Sequence, residues 1–153
     1  MIMATRPSHI TVEHHAPHSC KAIVFTCIDW RLHPQVDQFF TQTYGTYDPC
    51  TIAGSVQGFH TKGEVSAFFI KQIKISRSLH GISRVALTMH EDCGAYGGSK
   101  NFASQQEETA HHTHVLAMTR DMIREKFPLL ALDTYIITLS DENGIWMPHV
   151  MKV

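Results

Sequence analysis

No apolar run in this 153-residue chain approaches the ~20 residues that a helix needs to cross a bilayer. Residues 1–17 are polar and His-rich, with no apolar segment of the signal-peptide kind. A soluble, cytoplasmic protein is expected, with no membrane contact. Charge is also scarce, at 18% charged residues and a formal net charge of -1. There is no polycation to hold nucleic acid and no acidic tail, and 43% hydrophobic residues exclude a disordered chain. Cysteine is limited to four residues, and a chain of this size and apolar content needs no disulfide staples. Repeats, low-complexity tracts and linkers are missing as well. The expectation is one domain over residues 1–153, of which residues 1–19 form a polar N-terminal arm.

Histidine is what the chain has in excess: 12 residues, with clusters at His14, His15, His18 and at His111, His112, His114. Imidazole is the commonest transition-metal ligand, but it is also a common solvated side chain, so the count alone decides little.

Short apolar runs rich in β-branched and aromatic residues predict strands over residues 22–27, 50–53, 83–89 and 132–139, with a short edge strand at 145–150 after an Asn143-Gly144 turn. The stretch 44–49 reads as a break. Between the strands, 3.6-residue periodicity predicts helices over 35–41, 64–79 and 103–127, with Gly81 as a C-cap and Pro128 as a stop. Strands alternating with helices imply an α/β fold, a mainly parallel sheet of four to five strands flanked by helices. Ligands of such sheets gather at the carboxyl ends of the strands, where Cys27 and His90 fall.

Two fragments carry the chemistry: Cys27-Ile-Asp29-Trp-Arg31 after the first strand and His90-Glu-Asp-Cys93-Gly94-Ala95 after the third. A two-residue spacer lets His90 and Cys93 face one tetrahedral ion from a turn, and Cys27 adds a thiolate from a neighbouring strand end. Three protein ligands leave one position open for water or substrate, the pattern of a catalytic rather than a closed structural zinc site. Thiolates with one imidazole favour Zn(II) over Mg(II), Ca(II) or Mn(II), with iron and cobalt as alternatives. Asp29 and Arg31, two positions apart, can form a carboxylate–guanidinium pair that keeps Asp29 ionised and able to orient a zinc-bound hydroxide. Asp29 released from Arg31 can instead become a fourth ligand.

Cys-x-Asp-x-Arg followed roughly sixty residues later by His-x-x-Cys-Gly resembles the signature of the β-class carbonic anhydrases, over about residues 22–139. The resemblance implies a zinc lyase that hydrates carbon dioxide reversibly to bicarbonate. It assigns Cys27, His90 and Cys93 as zinc ligands and Asp29 with Arg31 as the dyad that positions or gates the nucleophile, and it implies a homodimer or a higher homo-oligomer. The chain departs from the family pattern at Trp30, where Ser is usual, and at Thr51-Ile52, where Arg-Asn precedes Ala-Gly. These changes lie on the substrate side and open two alternatives: hydrolysis of carbonyl sulfide or carbon disulfide on the same zinc site, or a non-catalytic zinc- or bicarbonate-binding protein.

Gly94, directly after Cys93, leaves room for bound substrate to approach the backbone. Gly97-Gly98 reads as a tight loop, although successive backbone N–H groups there can also form an anion-binding nest. Cys20 and Cys50 have no metal-ligand spacing and read as small apolar residues. Glu107, Glu108 and the histidines at 111, 112 and 114 read as the wet face of a helix, with a second metal site or proton shuttle as the alternative. Met118 and Met122 are expected in the helix core.

Overall fold

Strand β1, Ala22–Thr26, is buried at every position, so both its edges must be paired and both its faces covered. The computed structural model, which describes residues 18–153, places it accordingly. Strands β2, Tyr47–Thr51, and β3, Arg84–His90, flank β1 in parallel; β4, Ala131–Glu142, runs parallel to β3, and β5, Ile145–Lys152, closes the sheet antiparallel to β4. The order β2-β1-β3-β4-β5 is the expected mainly parallel α/β sheet. The N-terminal arm lies outside the described residues except for His18 and Ser19, and so do His14 and His15.

Successive residues of a strand face opposite ways, and the core divides accordingly. Ile23 and Phe25 of β1, Val85, Leu87 and Met89 of β3 and Ile136 of β4 pack against helices α2, Glu64–His80, and α3, Gln105–Lys126. Ala22 and Val24, Ala86, and Tyr135 and Ile137 pack against helix α1, Gln35–Tyr44. Phe25, Phe59 and Phe69 meet with ring centroids 4.8 to 5.9 Å apart. Gly58 makes this contact possible, because a Cβ there would fall 2.0 Å from the Phe69 ring.

Three sequence expectations are corrected. The second strand begins at Tyr47 rather than at 50 and contains Pro49. β2 is an edge strand, paired only with β1, and an edge tolerates a residue without an N–H. Helix α1 continues to Tyr44, whose ring stacks on Phe40 and whose hydroxyl bonds Asp133 at 2.8 Å and Tyr135 at 2.7 Å. On α3 the buried positions are Glu108, His112, Leu116, Thr119 and Ile123, spaced by threes and fours. That face leaves Met118 exposed, while Met122 is partly buried against the core as expected. Gly81, in the left-handed conformation, ends α2 as expected. Among the described residues no helix is long and apolar enough to cross a membrane.

Leu87, fully buried in the central strand pair, sets a stability benchmark. Leu87→Ala should cost about 2–5 kcal/mol in urea unfolding, whereas Met118→Ala should stay within about 0.5 kcal/mol of the parent.

Candidate metal centre

Because β1 and β3 are parallel neighbours, their carboxyl ends lie at one edge of the sheet. Cys27 follows β1 directly, His90 is the last residue of β3, and Cys93 stands in the turn beyond. All three are buried, and their donor atoms lie within 4.8 Å of one another. The two Sγ atoms are 4.0 Å apart. Two sulfurs on one tetrahedral zinc, with bonds of about 2.3 Å, stand about 3.8 Å apart.

The His90 ring tests whether this is a packed core or a ligand set. Its Nδ1 lies 2.7 Å from the Glu91 carbonyl oxygen, an acceptor, so Nδ1 carries the proton and donates it. Nε2 is then an unprotonated lone pair, buried and without a hydrogen-bond partner. Leaving such an atom unsatisfied costs about 1–3 kcal/mol. Satisfied core packing therefore does not describe His90, whereas a metal ion facing Nε2 does, with the Glu91 carbonyl fixing the tautomer.

The thiols respond to one another. The Cys27 and Cys93 sulfurs, 4.0 Å apart, share a hydrogen bond that lowers the Cys27 thiol pKa against the opposing effect of burial. The same bond and burial push Cys93 up. A cation held by both sulfurs must displace thiol protons.

Asp29 and Arg31 form the pair that their spacing predicts. Asp29 Oδ1 accepts from the Arg31 backbone N–H and from Nε, both at 3.0 Å, and Oδ2 accepts from Nη2 at 2.6 Å. Arg31 reaches further: Nη1 donates to Asp92 Oδ2 at 2.9 Å and Nη2 to the Asp92 carbonyl at 3.0 Å. Its guanidinium also lies 5.2 Å from the centre of the Trp146 ring on β5, within cation–π range. Arg31 therefore clamps the two motif fragments together and to the last strand.

The wet-face reading of α3 fails at two positions. Glu108 is buried, its Oε1 accepting from the Asp92 backbone N–H at 2.7 Å and its Oε2 from the Ser99 hydroxyl at 2.6 Å. His112, one turn on, is buried as well, with Nε2 3.5 Å from Glu108. His111 and His114 are exposed as expected. The loop after His90 folds over this stretch of α3, and its orphan N–H groups need an acceptor that the helix supplies. A buried acceptor at Glu108 was not readable from periodicity, since Glu is normally exposed.

Asp29, Arg31, Gly94 and Trp30 border a cleft of about 860 Å³, with Gly97 and Gly98 along its wall. Trp30 and Ile28 are 74% and 59% exposed, giving this edge an apolar lip. A Cβ on Gly94 would meet nothing within 4 Å, so the fold itself does not demand glycine there. Gly98 is different: φ is +75° and a Cβ would fall 2.9 Å from Asp92 Oδ1.

Residues 17–133 match the family described as "Putative carbonic anhydrase", and the chain belongs to that family. The fold is that of the β-carbonic anhydrases. It is similar to a carbonic anhydrase from Streptococcus mutans at 20% identity and a TM-score of 0.51, covering 93% of this chain and 87% of that one. It is also similar to the β-carbonic anhydrase CcaA at 14% identity and a TM-score of 0.53, covering 88% and 81%. An uncharacterized protein of Rickettsia conorii is 29% identical over 129 residues, 80% of this chain and 69% of that protein. One from Rickettsia bellii is 27% identical over 129 residues, covering 80% and 79%.

The hydrogen bonds from Arg31 hold the Asp29 carboxyl below its ordinary value; the Ser99 N–H and then Arg31 do the same for Asp92. Carboxyls lowered in the folded state stabilise it above their ordinary value, and that stabilisation is lost as pH falls through the lowered ones. Arg31→Met should therefore flatten the acid limb of stability. Urea unfolding from about pH 7 down to about pH 3 should show a smaller loss in the variant than in the parent.

Proposed function

We propose that the chain is a zinc-dependent carbonic anhydrase that hydrates carbon dioxide reversibly to bicarbonate. The observation that carries the reading is the buried Cys27–His90–Cys93 triad, its donor atoms within 4.8 Å of one another and Nε2 of His90 unpartnered. Family membership and the β-carbonic anhydrase fold support the choice of reaction. Cys27, His90 and Cys93 would hold Zn(II), which would supply the Lewis acidity that makes water a nucleophile near neutral pH.

The remaining work falls to the chain's own groups. Asp29, ionised through its bonds to Arg31, accepts a hydrogen bond from the attacking water and directs its lone pair at the carbon of carbon dioxide. Arg31, anchored on Asp92, keeps Asp29 from swinging onto the metal as a fourth ligand. Gly94 leaves space in the cleft for substrate. We place the enzyme in the cytoplasm as a homodimer or higher homo-oligomer with no nucleic-acid partner.

The apolar lip of Trp30 and Ile28 favours one second reading, hydrolysis of carbonyl sulfide or carbon disulfide on the same centre. Carbon dioxide hydration followed by stopped flow on zinc-quantified protein separates the two. The expected result is a rate that rises with pH and falls roughly 10²–10⁴-fold in Asp29→Ala at unchanged zinc content, while Cys93→Ala loses the zinc of this centre. A fully metallated protein with no carbon dioxide turnover but with release of hydrogen sulfide from either sulfur substrate decides for the second reading. Metallated protein inert to all three is a non-catalytic binding protein.

A further inference from the structure

A second set of donors lies at the opposite, amino-terminal end of β1. Cys20 stands two residues before that strand, Asp48 sits in β2 opposite Ile23, and His80 is the last residue of α2. One donor atom from each lies within 4.8 Å of the others. Two backbone hydrogen bonds fix the approach of the segment that carries Cys20: its N–H donates to the His80 carbonyl at 3.0 Å, and the Lys21 N–H to the Thr46 carbonyl at 3.0 Å. His18, two residues before Cys20, packs its ring edge-on against that of His80 with centroids 4.5 Å apart, close to the other three without joining their donor atoms. These four residues and Ser19 alone line a small cavity of about 160 Å³.

Charge at this cavity is unbalanced. Asp133, buried in the sheet, is paired with both Arg84 and Lys152, whereas Asp48 is partly exposed on the edge strand. Asp48 has instead His80 Nδ1 at 2.7 and 2.9 Å and the Ser76 hydroxyl, and no Lys or Arg pairs with it among the described residues. Burial and the Asp48 charge also push the Cys20 thiol up to about 11. Sulfur, carboxylate and imidazole converge here without a permanent cation, so an added positive charge has three partners that lack one.

We propose that His18, Cys20, Asp48 and His80 form a second, structural Zn(II) site, separate from the Cys27–His90–Cys93 centre. One thiolate, one carboxylate and two imidazoles suit a borderline cation of the zinc type and exclude Mg(II) and Ca(II). With the His18 ring turned toward the three converging donors, four protein donors would close the coordination sphere and make the site a clasp rather than a reaction centre. It ties the segment entering β1 to the edge strand β2 and to the end of α2. Zinc binding would release the Cys20 thiol proton to solvent and break the hydrogen bond between His80 and Asp48, with Ser76 remaining to orient the carboxylate.

The test is zinc counting by native mass spectrometry and elemental analysis on the full chain. The parent should hold two ions, and Cys20→Ser and His80→Gln one each, with the carbon dioxide hydration rate per zinc at the first centre unchanged. Cys93→Ala should still hold one ion, and Cys93→Ala combined with Cys20→Ser none, so that failure of the first centre and failure of this one are told apart. Because His80→Gln also removes the contact to Asp48, alkylation mapping on unmutated protein gives a second measure: added zinc should protect Cys20 from iodoacetamide. A zinc count unaffected by Cys20→Ser, or equal alkylation of Cys20 with and without zinc, overturns the proposal.

Discussion

The parallel pairing of β1 with β3 is the constraint on which the molecule turns. Parallel strands bring like ends together, so one register, Phe25 opposite Leu87, decides that the chain leaving β1 and the chain leaving β3 emerge side by side. Cys27 and His90 meet because of it. The same register sends Phe25 and Leu87 to the face covered by α2 and α3, which makes the donor pair inseparable from the core. A shift of one residue would move every apolar side chain to the wrong face and part the donors at once.

Around the donors, negative charge is concentrated and its balance is local. Asp29, Asp92, Glu108 and the sulfur pair crowd one end of the sheet, while Arg31 is the guanidinium that bonds both aspartates. Arg suits that position better than Lys, because its planar fork bonds Asp29 through two nitrogens and still reaches Asp92 and its carbonyl. Glu108 needs no cation: two donors, the Asp92 N–H and the Ser99 hydroxyl, hold it. The loop between His90 and α3 is thereby fixed from both sides.

Much of this was legible beforehand. Strands β1, β3 and β4 are dense apolar runs, and a dense apolar run leaves little choice of structure. Cys27, His90, Cys93, Asp29 and Arg31 sit in two short motifs whose spacing can be read directly, and their convergence follows once the sheet is parallel. What escaped depends on contacts far apart in the chain. Pro49 hid the start of β2, because only the sheet order shows that strand to be an edge. Glu108 and His112 looked solvated, since the loop that covers them folds over the helix from another part of the chain. Trp146 gave no sign of its contact with Arg31. Cys20 has no motif, because its neighbours in space, Asp48 and His80, come from two other elements.

The donors of the candidate centre stand 66 residues apart at the two sulfurs. Closing so long a loop costs entropy that local helix formation does not recover, and non-local parallel pairing is slow for that reason. The sulfurs come within reach of one ion when β3 docks on β1. An ion held by both sulfurs is thus a reporter that β1 and β3 have paired.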